Sequence, residues 1–390
     1  MSLYYKTTEC VSPGHPDKVA DFISDSVLDA HLAVDPYAKV ACETMVKDDL
    51  VILAGEITSN VSKKPDLNKV VREALTRLGY TKSHMLFNAK RVKVLNLLSE
   101  QSPEINQAVV GTSDDGEIGA GDQGIMWGYA TDATPTFMPL GMFLAKGIMN
   151  AMEPLKWDVL FADCKTQVTI AYDSETRKPV KVSCVVISCL HDAKASLEHV
   201  RSTMKTRLQS FIDKLPSDIS SLFTKETEFI LNRSGRWVFG GPEADSGLTG
   251  RKIVVDAYGA DCEVGGGAFS GKDGTKVDRS GAYAARFIAK NIVAAGLARE
   301  CKVQLGYVIG KAHPVSFNID FMGTGCISGT TESYVEGRIS SLMDGLTPKT
   351  FIKLFRLTES QFANTVFFGH FGVSTHPWEE LKLVPYLKTS

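Results

Sequence analysis

The chain has 390 residues, 44% of them hydrophobic and 23% charged, a length and balance that fit a soluble globular protein of two or three domains. A formal net charge of -2 excludes bulk attraction to nucleic acid or an acidic membrane, so any anion has to be held by local clusters. Eight cysteines (10, 42, 164, 184, 189, 262, 301, 326) form no C-x-x-C pair, the opening MSLYYKTTECV has no basic-then-apolar leader, and no run is long enough to cross a bilayer; free thiols in a cytoplasmic setting are expected.

In chain order, PDKVADFISDSVLDAHL reads as a helix whose Val19, Ile23, Val27 and Ala30 share one face. Two alternating runs follow, KVACETMV and LVILAGEIT, with KDD as the turn between them. A second amphipathic helix, PDLNKVVREALTRLG, ends at Gly79. The same order recurs from PLGMFLAKGIMNAME through TQVTIAYD and KPVKVSCVVISCL to AKASLEHVRSTMKTRLQSFI. It recurs again from RSGAYAARFIAKNIVAAGLA through VQLGYVIG and VSFNIDFM to PKTFIKLF. Each first strand begins roughly 23–26 residues after the start of its helix, which points to duplicated units. The expected fold is α+β in layers: three pseudo-symmetric repeats, each a mainly antiparallel sheet backed by helices. Between them lie two long glycine- and charge-rich loops, 101–124 and 232–252, of the kind that carry function.

Two segments place carboxylates among cations. VSPGHPDK sets His15, Asp17 and Lys18 at the mouth of the first helix, where Pro16 suits the first helical position and the free N–H groups suit a phosphate. Asp17 would repel that phosphate unless Mg²⁺ lies between them; the plainer reading is an acidic first turn stabilised by the helix dipole. GGGAFSGKDGTKVDR matches G-x-x-x-x-G-K at Gly266, Gly271 and Lys272, but Asp273 stands where that phosphate loop needs Ser or Thr. Lys272, Lys276 and Arg279 supply three cations and Asp278 a carboxylate, so a different triphosphate cradle stays open. The segment IVVDAYG reads as a strand that stops well before the following helix, which weakens the phosphate-loop match further.

Other residues carry less by themselves. Lys165 in DCK opens a strand, and Arg251 and Lys252 flank a turn; basic residues like these are usually solvated. Glu43 and Glu56 interrupt apolar strands, facing water or anchoring an ammonium group or monovalent cation. Asp122 and Asp245 lie in glycine-rich loops where aspartate commonly forms turns. Trp237 beside Arg236 suits stacking on a purine or packing on the core. No serine or cysteine nucleophile has a motif-like setting and no His/Cys group has zinc spacing, so the chemistry is expected to be done by positioning a triphosphate.

VSPGHPDK, GAGDQGIMWGYA and GGGAFSGKD, in this order and spacing, resemble the S-adenosylmethionine synthetase (methionine adenosyltransferase) family, and the likeness continues through CET, GEIT, QSPEINQ, DCKTQVT, GGPEADSGLTGRK and KVDRSGAYAARF. The resemblance implies an N-terminal domain over 1–101, a central one over 115–236 and a C-terminal one over 238–378, exchanging segments across those limits. It implies attack of methionine sulfur on the ribose 5′-carbon of ATP, with the tripolyphosphate hydrolysed before release. His15, Lys165, Arg251, Lys272 and Lys276 correspond to the family's catalytic positions. His15, Asp163, Lys165, Arg236, Trp237, Asp245, Arg251, Lys252, Ala268, Lys272 and Asp122 correspond to ATP contacts. Glu56, Gln101, Asp245 and Lys276 correspond to methionine contacts, Gln101 opening a mobile loop that would close over the site. Asp17 and Asp278 correspond to Mg²⁺ ligands, two ions per site, and Glu43 to a K⁺ ligand. The family implies a homodimer with sites between subunits, and allows a dimer of dimers and a regulatory subunit; nucleic acid and membrane are not expected partners. Trp237 departs from the family's usual phenylalanine. A phosphate-loop phosphotransferase would need Ser or Thr at 273, and a silent regulatory subunit should have lost some of His15, Asp17, Lys165, Lys272 and Asp278.

Overall fold

Three sheets organise the chain, and each borrows one strand from outside its own unit. The computed structural model describes residues 2–100, 119–327, 329–359 and 361–388. The first unit runs β1 (Leu3–Val11), α1 (Pro16–Leu32), β2 (Lys39–Lys47), β3 (Leu50–Thr58), α2 (Leu67–Arg77) and β4 (Lys93–Ser99). The second runs β5 (Gly124–Thr131), α3 (Leu140–Ala151), β6 (Leu160–Asp173), β7 (Pro179–His191), α4 (Leu197–Ile212) and β8 (Glu228–Leu231). The third runs β9 (Gly247–Leu248), α5 (Val277–Ala294), β10 (Glu300–Tyr307), β11 (Ser316–Asp320) and α6 (Glu332–Leu342).

In the first two units an antiparallel hairpin is followed by a helix and then a strand parallel to the hairpin's second arm, β4 on β3 and β8 on β7. The third unit has the hairpin and helix, and no strand follows α6 among the described residues. The leading strand of each unit leaves its own sheet: β1 pairs with β6, β5 with β10, and β9 with β2. The exchange therefore closes a three-membered cycle. A lone leading strand would expose a row of unpaired N–H and C=O groups, and insertion beside the next hairpin satisfies them.

Helices back the inner faces. Val168, Val185, Ile187, Leu144 and Met204 close one core between the β1-β6-β7-β8 sheet and its helices. Val19, Phe22, Val40, Leu53, Phe287 and Val303 belong to a second core, shared by the other two sheets. The outer face of the β4-β3-β2-β9 sheet is left open, with Met45, Leu95 and Leu97 each more than a third exposed. No helix among the described residues is long and apolar enough to cross a membrane, and no cysteine is in a disulfide.

The α+β architecture of three related units is as expected, with local corrections. Ile253–Asp256 is a helical turn rather than a strand. Lys252 pairs with Asp17 and Asp256 with Lys18, which are consecutive residues. Four residues of strand span about 13 Å whereas four of helix rise about 6 Å, so only the turn brings both ends to the head of α1. Strand β6 starts at Leu160, which puts Lys165 inside the strand instead of at its start. In the third unit α6 precedes the expected helix at Pro348–Leu354, and it is α6 that packs on β11.

Candidate active site

The candidate residues fall into two groups. The first gathers at the head of α1. His15 caps the helix, its Nδ1 accepting from the Asp17 N–H at 3.2 Å, so a neutral ring carries its proton on Nε2. Gly14 lets this turn lie against Ala162, where a side chain would collide, and Val11 stands opposite Lys165 in the β1–β6 ladder. His15 and Asp17 thereby meet the Asp163–Lys165 strand. Asp163 is buried; its Oδ2 accepts from the Gly241 N–H at 2.9 Å and its Oδ1 has no partner among the described residues. Asp17 is buried too, its Oδ1 accepting from the Leu248 N–H at 3.0 Å and its Oδ2 paired with Lys252, with Arg251 Nε 3.8 Å from Oδ1.

Around this centre, Arg236 is exposed and donates to the Ala193 carbonyl at 2.5 Å. Half-buried Trp237 packs on the core, its main-chain N–H donating to His191 Nε2 at 3.1 Å and its indole N–H to the Phe239 carbonyl at 2.9 Å. Asp245 is exposed, its Oδ1 accepting from the Ser246 N–H. Burial, and then the charges of Lys252 and Lys165, lower the His15 pKa to about 3, so the ring is neutral. Burial pushes Asp163 up to about 6. Burial also opposes ionisation of Asp17, but Lys252 and the Leu248 N–H outweigh it and hold this carboxyl below its ordinary value.

The second group lies on the open face of the β4-β3-β2-β9 sheet. Lys272 bridges to Ala41, Ala41 pairs with Glu56 and Glu56 with Ser99, in one row across the sheet. Glu43 points to the same face one rung along, opposite Ala54 and Leu97. Lys272 Nζ is 2.5 Å from Asp278 Oδ2. The loop carrying Asp122 reaches this side through a hydrogen bond from the Gly121 N–H to the Thr275 carbonyl at 3.3 Å. Ala268 lies against Gly250, between the two groups. No ion pair joins the charged side chains of one group to those of the other among the described residues. Gln101 and the loop it opens lie outside the described residues.

The near-match to a phosphate loop has a structural explanation. Such a loop presents free N–H groups to the phosphates. Here Gly271 N–H donates to Asp25, Lys272 to the Phe269 carbonyl, Asp273 to the Val40 carbonyl, Thr275 to Asp273 Oδ1 and Lys276 to the Asp273 carbonyl. Asp273 is buried, and its Oδ2 takes the Val40 N–H at 2.7 Å and Lys276 Nζ at 2.6 Å. It fastens the loop to β2, and Gly271 at φ 80° allows the close approach to the Cys42 carbonyl.

Two cations behave differently from the sequence expectation. Lys18, expected beside His15 on a phosphate, is buried against Asp21 at 2.9 Å and Asp256 at 2.5 Å. Arg279, expected among three triphosphate cations, is buried and forks onto Asp25 at 2.7 and 2.9 Å. Sequence reasoning also missed a ladder of aspartates on α1. Asp17, Asp21, Asp25 and Asp29, spaced by four, accept main-chain N–H groups from Leu248, from Gly250, from Gly271, and from Gln361, Phe362 and Ala363. The four-residue period was the available signal, since such positions share one helix face.

Comparison with known proteins covers nearly the whole chain. Sequence models of S-adenosylmethionine synthetase match residues 3–103 as the N-terminal domain, 117–237 as the central domain and 239–380 as the C-terminal domain. S-adenosylmethionine synthase of Staphylococcus epidermidis is 43% identical over 398 residues, covering 98% of this chain and 96% of its own. That of Deinococcus radiodurans is 42% identical over 406 residues, covering 98% and 97%. A solved structure described as an unusual S-adenosylmethionine synthetase from Campylobacter jejuni superposes with a TM-score of 0.89 at 35% identity, covering 99% of both chains. With all three domain models matched in order, the chain belongs to the S-adenosylmethionine synthetase family.

Proposed function

We propose that each catalytic site of this methionine adenosyltransferase is completed by two copies of the chain, the His15 group of one facing the Lys272 group of the other. In the reaction the sulfur of L-methionine attacks C5′ of ATP, and the C5′–O bond breaks with its electrons leaving on the tripolyphosphate. Water then splits the tripolyphosphate into phosphate and pyrophosphate. The observation that carries the two-copy reading is that no ion pair joins the two basic groups among the described residues, with the second on an exposed apolar sheet face. Such a face marks an interaction surface, and a second copy would bring the other group's cations to the same triphosphate. A homodimer follows, and a dimer of dimers or a regulatory subunit is compatible with it.

In this reading His15 donates its Nε2–H to the leaving oxygen, with Lys165, Arg251, Lys252, Lys272 and Lys276 taking the phosphate charge. Lys276 reaches it only by sharing its ammonium with Asp273. Trp237 and Arg236 flank the adenine, Asp163 and Asp245 take hydrogen bonds from the nucleoside or methionine, and Ala268 and Asp122 border the nucleotide. Glu56 takes the methionine ammonium, with Gln101 nearby.

No group of three metal-binding side chains occurs among the described residues, which suits Mg²⁺ better than a protein-only cage. Asp17 and Asp278 each offer a carboxylate already beside a lysine. Asp17 and Asp278 would each hold a metal ion on a bound triphosphate, and Lys252 and Lys272 would then be released to phosphate oxygens. Such ions would supply charge neutralisation of the leaving group. Glu43 would hold K⁺ together with main-chain oxygens. The domains divide near 101–115 and 236–238, and the protein works in the cytoplasm.

Purified protein with ATP, methionine, Mg²⁺ and K⁺ is expected to form S-adenosylmethionine, phosphate and pyrophosphate in equal amounts; ADP as the main product sinks the reading. A pH profile tests the nucleotide side. With Asp163 titrating at about 6, kcat/KM for ATP falls as pH drops through that value, because the protonated carboxyl no longer accepts freely. Asp163→Asn removes this step from the profile and lowers kcat/KM at pH 8 roughly tenfold to hundredfold, the loss of a charge-assisted hydrogen bond. A parent profile flat between pH 5 and 7 counts against the role.

A further inference from the structure

Several buried groups lie between the two halves of the site, and the reaction as described uses none of them. On the first side, Lys18 holds Asp256 and Asp21, and Asp21 Oδ1 accepts from the Gly250 N–H at 2.9 Å. These groups lie under the turn that carries Arg251 and Lys252, and Asp256 is linked to Lys252 by a hydrogen bond from its N–H to the Lys252 carbonyl at 2.9 Å. On the second side, Arg279 forks onto Asp25 and donates to the Lys272 carbonyl at 3.1 Å, while Asp25 accepts from the Gly271 N–H at 2.8 Å.

Tyr283 and His370 stand between the two. Arg279 Nε donates to Tyr283 Oη at 3.0 Å, and Tyr283 Oη is 2.8 Å from His370 Nδ1. Arginine only donates, so the tyrosine oxygen accepts there and its own hydrogen goes to Nδ1. The proton of the neutral imidazole is then on Nε2, which lies 3.9 Å from Asp256 Oδ2 and has no hydrogen-bond partner among the described residues. Burial, followed by the charges of Lys18 and Arg279, keeps this ring far below the ordinary histidine range and therefore neutral. The Tyr283 ring is fixed by stacking on Trp378 at 3.8 Å between centroids.

We propose that Tyr283 and His370 are positioning residues that join the main chain of Lys272 to the Lys18–Asp256 pair beneath Arg251 and Lys252, so that the two basic walls carried by one chain are set relative to each other through its core. The inference rests on the triphosphate reading of those walls. Every link but one is a formed hydrogen bond: Arg279 donates to the Lys272 carbonyl and to Tyr283, Tyr283 donates to His370, and Lys18 donates to Asp256. The open link, His370 to Asp256, closes to hydrogen-bond distance with a shift of about 1 Å. A pull on Lys252 by bound phosphate reaches Asp256 along one helical turn and can close it. The two walls of one chain serve two different catalytic sites in the dimer, so occupancy of one site is felt at the Lys272 of the other.

A double-mutant cycle tests this with Tyr283→Phe, which keeps the stacked ring, Asp256→Asn, and the two combined. The readouts are kcat and KM for S-adenosylmethionine formation, the affinity for inorganic tripolyphosphate with Mg²⁺ by calorimetry, and thermal unfolding of each protein. Each single substitution is expected to lower kcat about tenfold with KM for methionine within about twofold, a positioning signature rather than lost binding. The double variant is expected to be no worse than the worse single, because both open the same chain. His370→Asn, which keeps an acceptor for Tyr283 but loses the reach to Asp256, should match Asp256→Asn. Multiplying effects of the two substitutions, or parental kcat in Tyr283→Phe, overturns the proposal. An unmodified protein that makes no S-adenosylmethionine and binds no tripolyphosphate sinks the site reading and the network together.

Discussion

Alanine at Lys272 is expected to lower the turnover number for S-adenosylmethionine by about 10³-fold. Negative charge grows on the tripolyphosphate as the C5′–O bond breaks, and an interaction that strengthens during that step acts on kcat rather than on KM. Among the described residues the Lys272 Nζ pairs with Asp278 alone, at 2.5 Å, so it is placed beside the carboxylate proposed for the metal and would be free to turn to phosphate. Its main chain does the structural work: the Gly271 carbonyl accepts from the Cys42 N–H, and the Lys272 carbonyl accepts from Arg279. Truncation at Cβ leaves those bonds intact, so the unfolding midpoint should move by less than about 4 °C. Lys272→Arg should recover only part of the rate, since a planar fork does not replace a compact ammonium beside a carboxylate. Steady-state kinetics with separate determination of kcat and KM check the claim. Near-parental kcat in Lys272→Ala removes this residue from the leaving-group site.

Much of this framework is written in local signals, and the parts that were not legible share a cause. Helix α1 is readable end to end because Pro16 sets its start and an apolar face repeats along it. Helix α2 is shorter than its pattern by two residues at each end, since Asp66 caps it through the Lys69 N–H and Gly79 adopts φ 83° beyond it. Strands that pair with distant segments had no such signal. Strand β9 has two residues and exists because β2 offers an edge, while β1 and β5 belong to sheets built more than a hundred residues downstream. In IVVDAYG, β-branched residues point to a strand, and the ion pairs of Lys252 and Asp256 that bracket the helical turn override that preference. Helix α6 buries only Val335 and Ile339 and so leaves little periodic trace.

The same division holds at the site. The motif residues proposed for it stand out through the family resemblance and because glycine-rich loops dense in charge are unusual. What the motifs could not tell was which charges face a ligand and which hold the fold. Lys272 and Arg279 are seven residues apart in one basic run, yet one is partly open beside Asp278 and the other is fully buried on Asp25. Asp273 and Asp278 divide likewise, the first occupied by β2 and Lys276, the second paired with Lys272. Burial decided each role, and burial depends on strands exchanged between units.

Asparagine at Asp17 is expected to cut turnover by about 10²- to 10³-fold and to raise the Mg²⁺ concentration needed for half-maximal rate. The substitution keeps an acceptor for the Leu248 N–H but removes the charge that faces Lys252. Lys252 keeps some access to solvent, and Asp21, Asp25 and Asp29 still fasten α1 to its loops, so the fold survives. In the parent, Lys252 and the Leu248 N–H overcome the cost of burial and keep Asp17 below its ordinary pKa, so the carboxylate is ionised throughout the working pH range. Raising the pH therefore does not rescue Asp17→Asn, whereas it would rescue a variant that merely weakened ionisation. The neighbouring His15 is neutral and cannot replace the lost negative charge. Calorimetric titration of Mg²⁺ with a non-hydrolysable ATP analogue separates metal binding from chemistry: the variant should need a higher Mg²⁺ concentration to bind the analogue. An unchanged Mg²⁺ requirement together with a large loss of kcat would assign Asp17 to orienting Lys252 and His15 instead of to the metal.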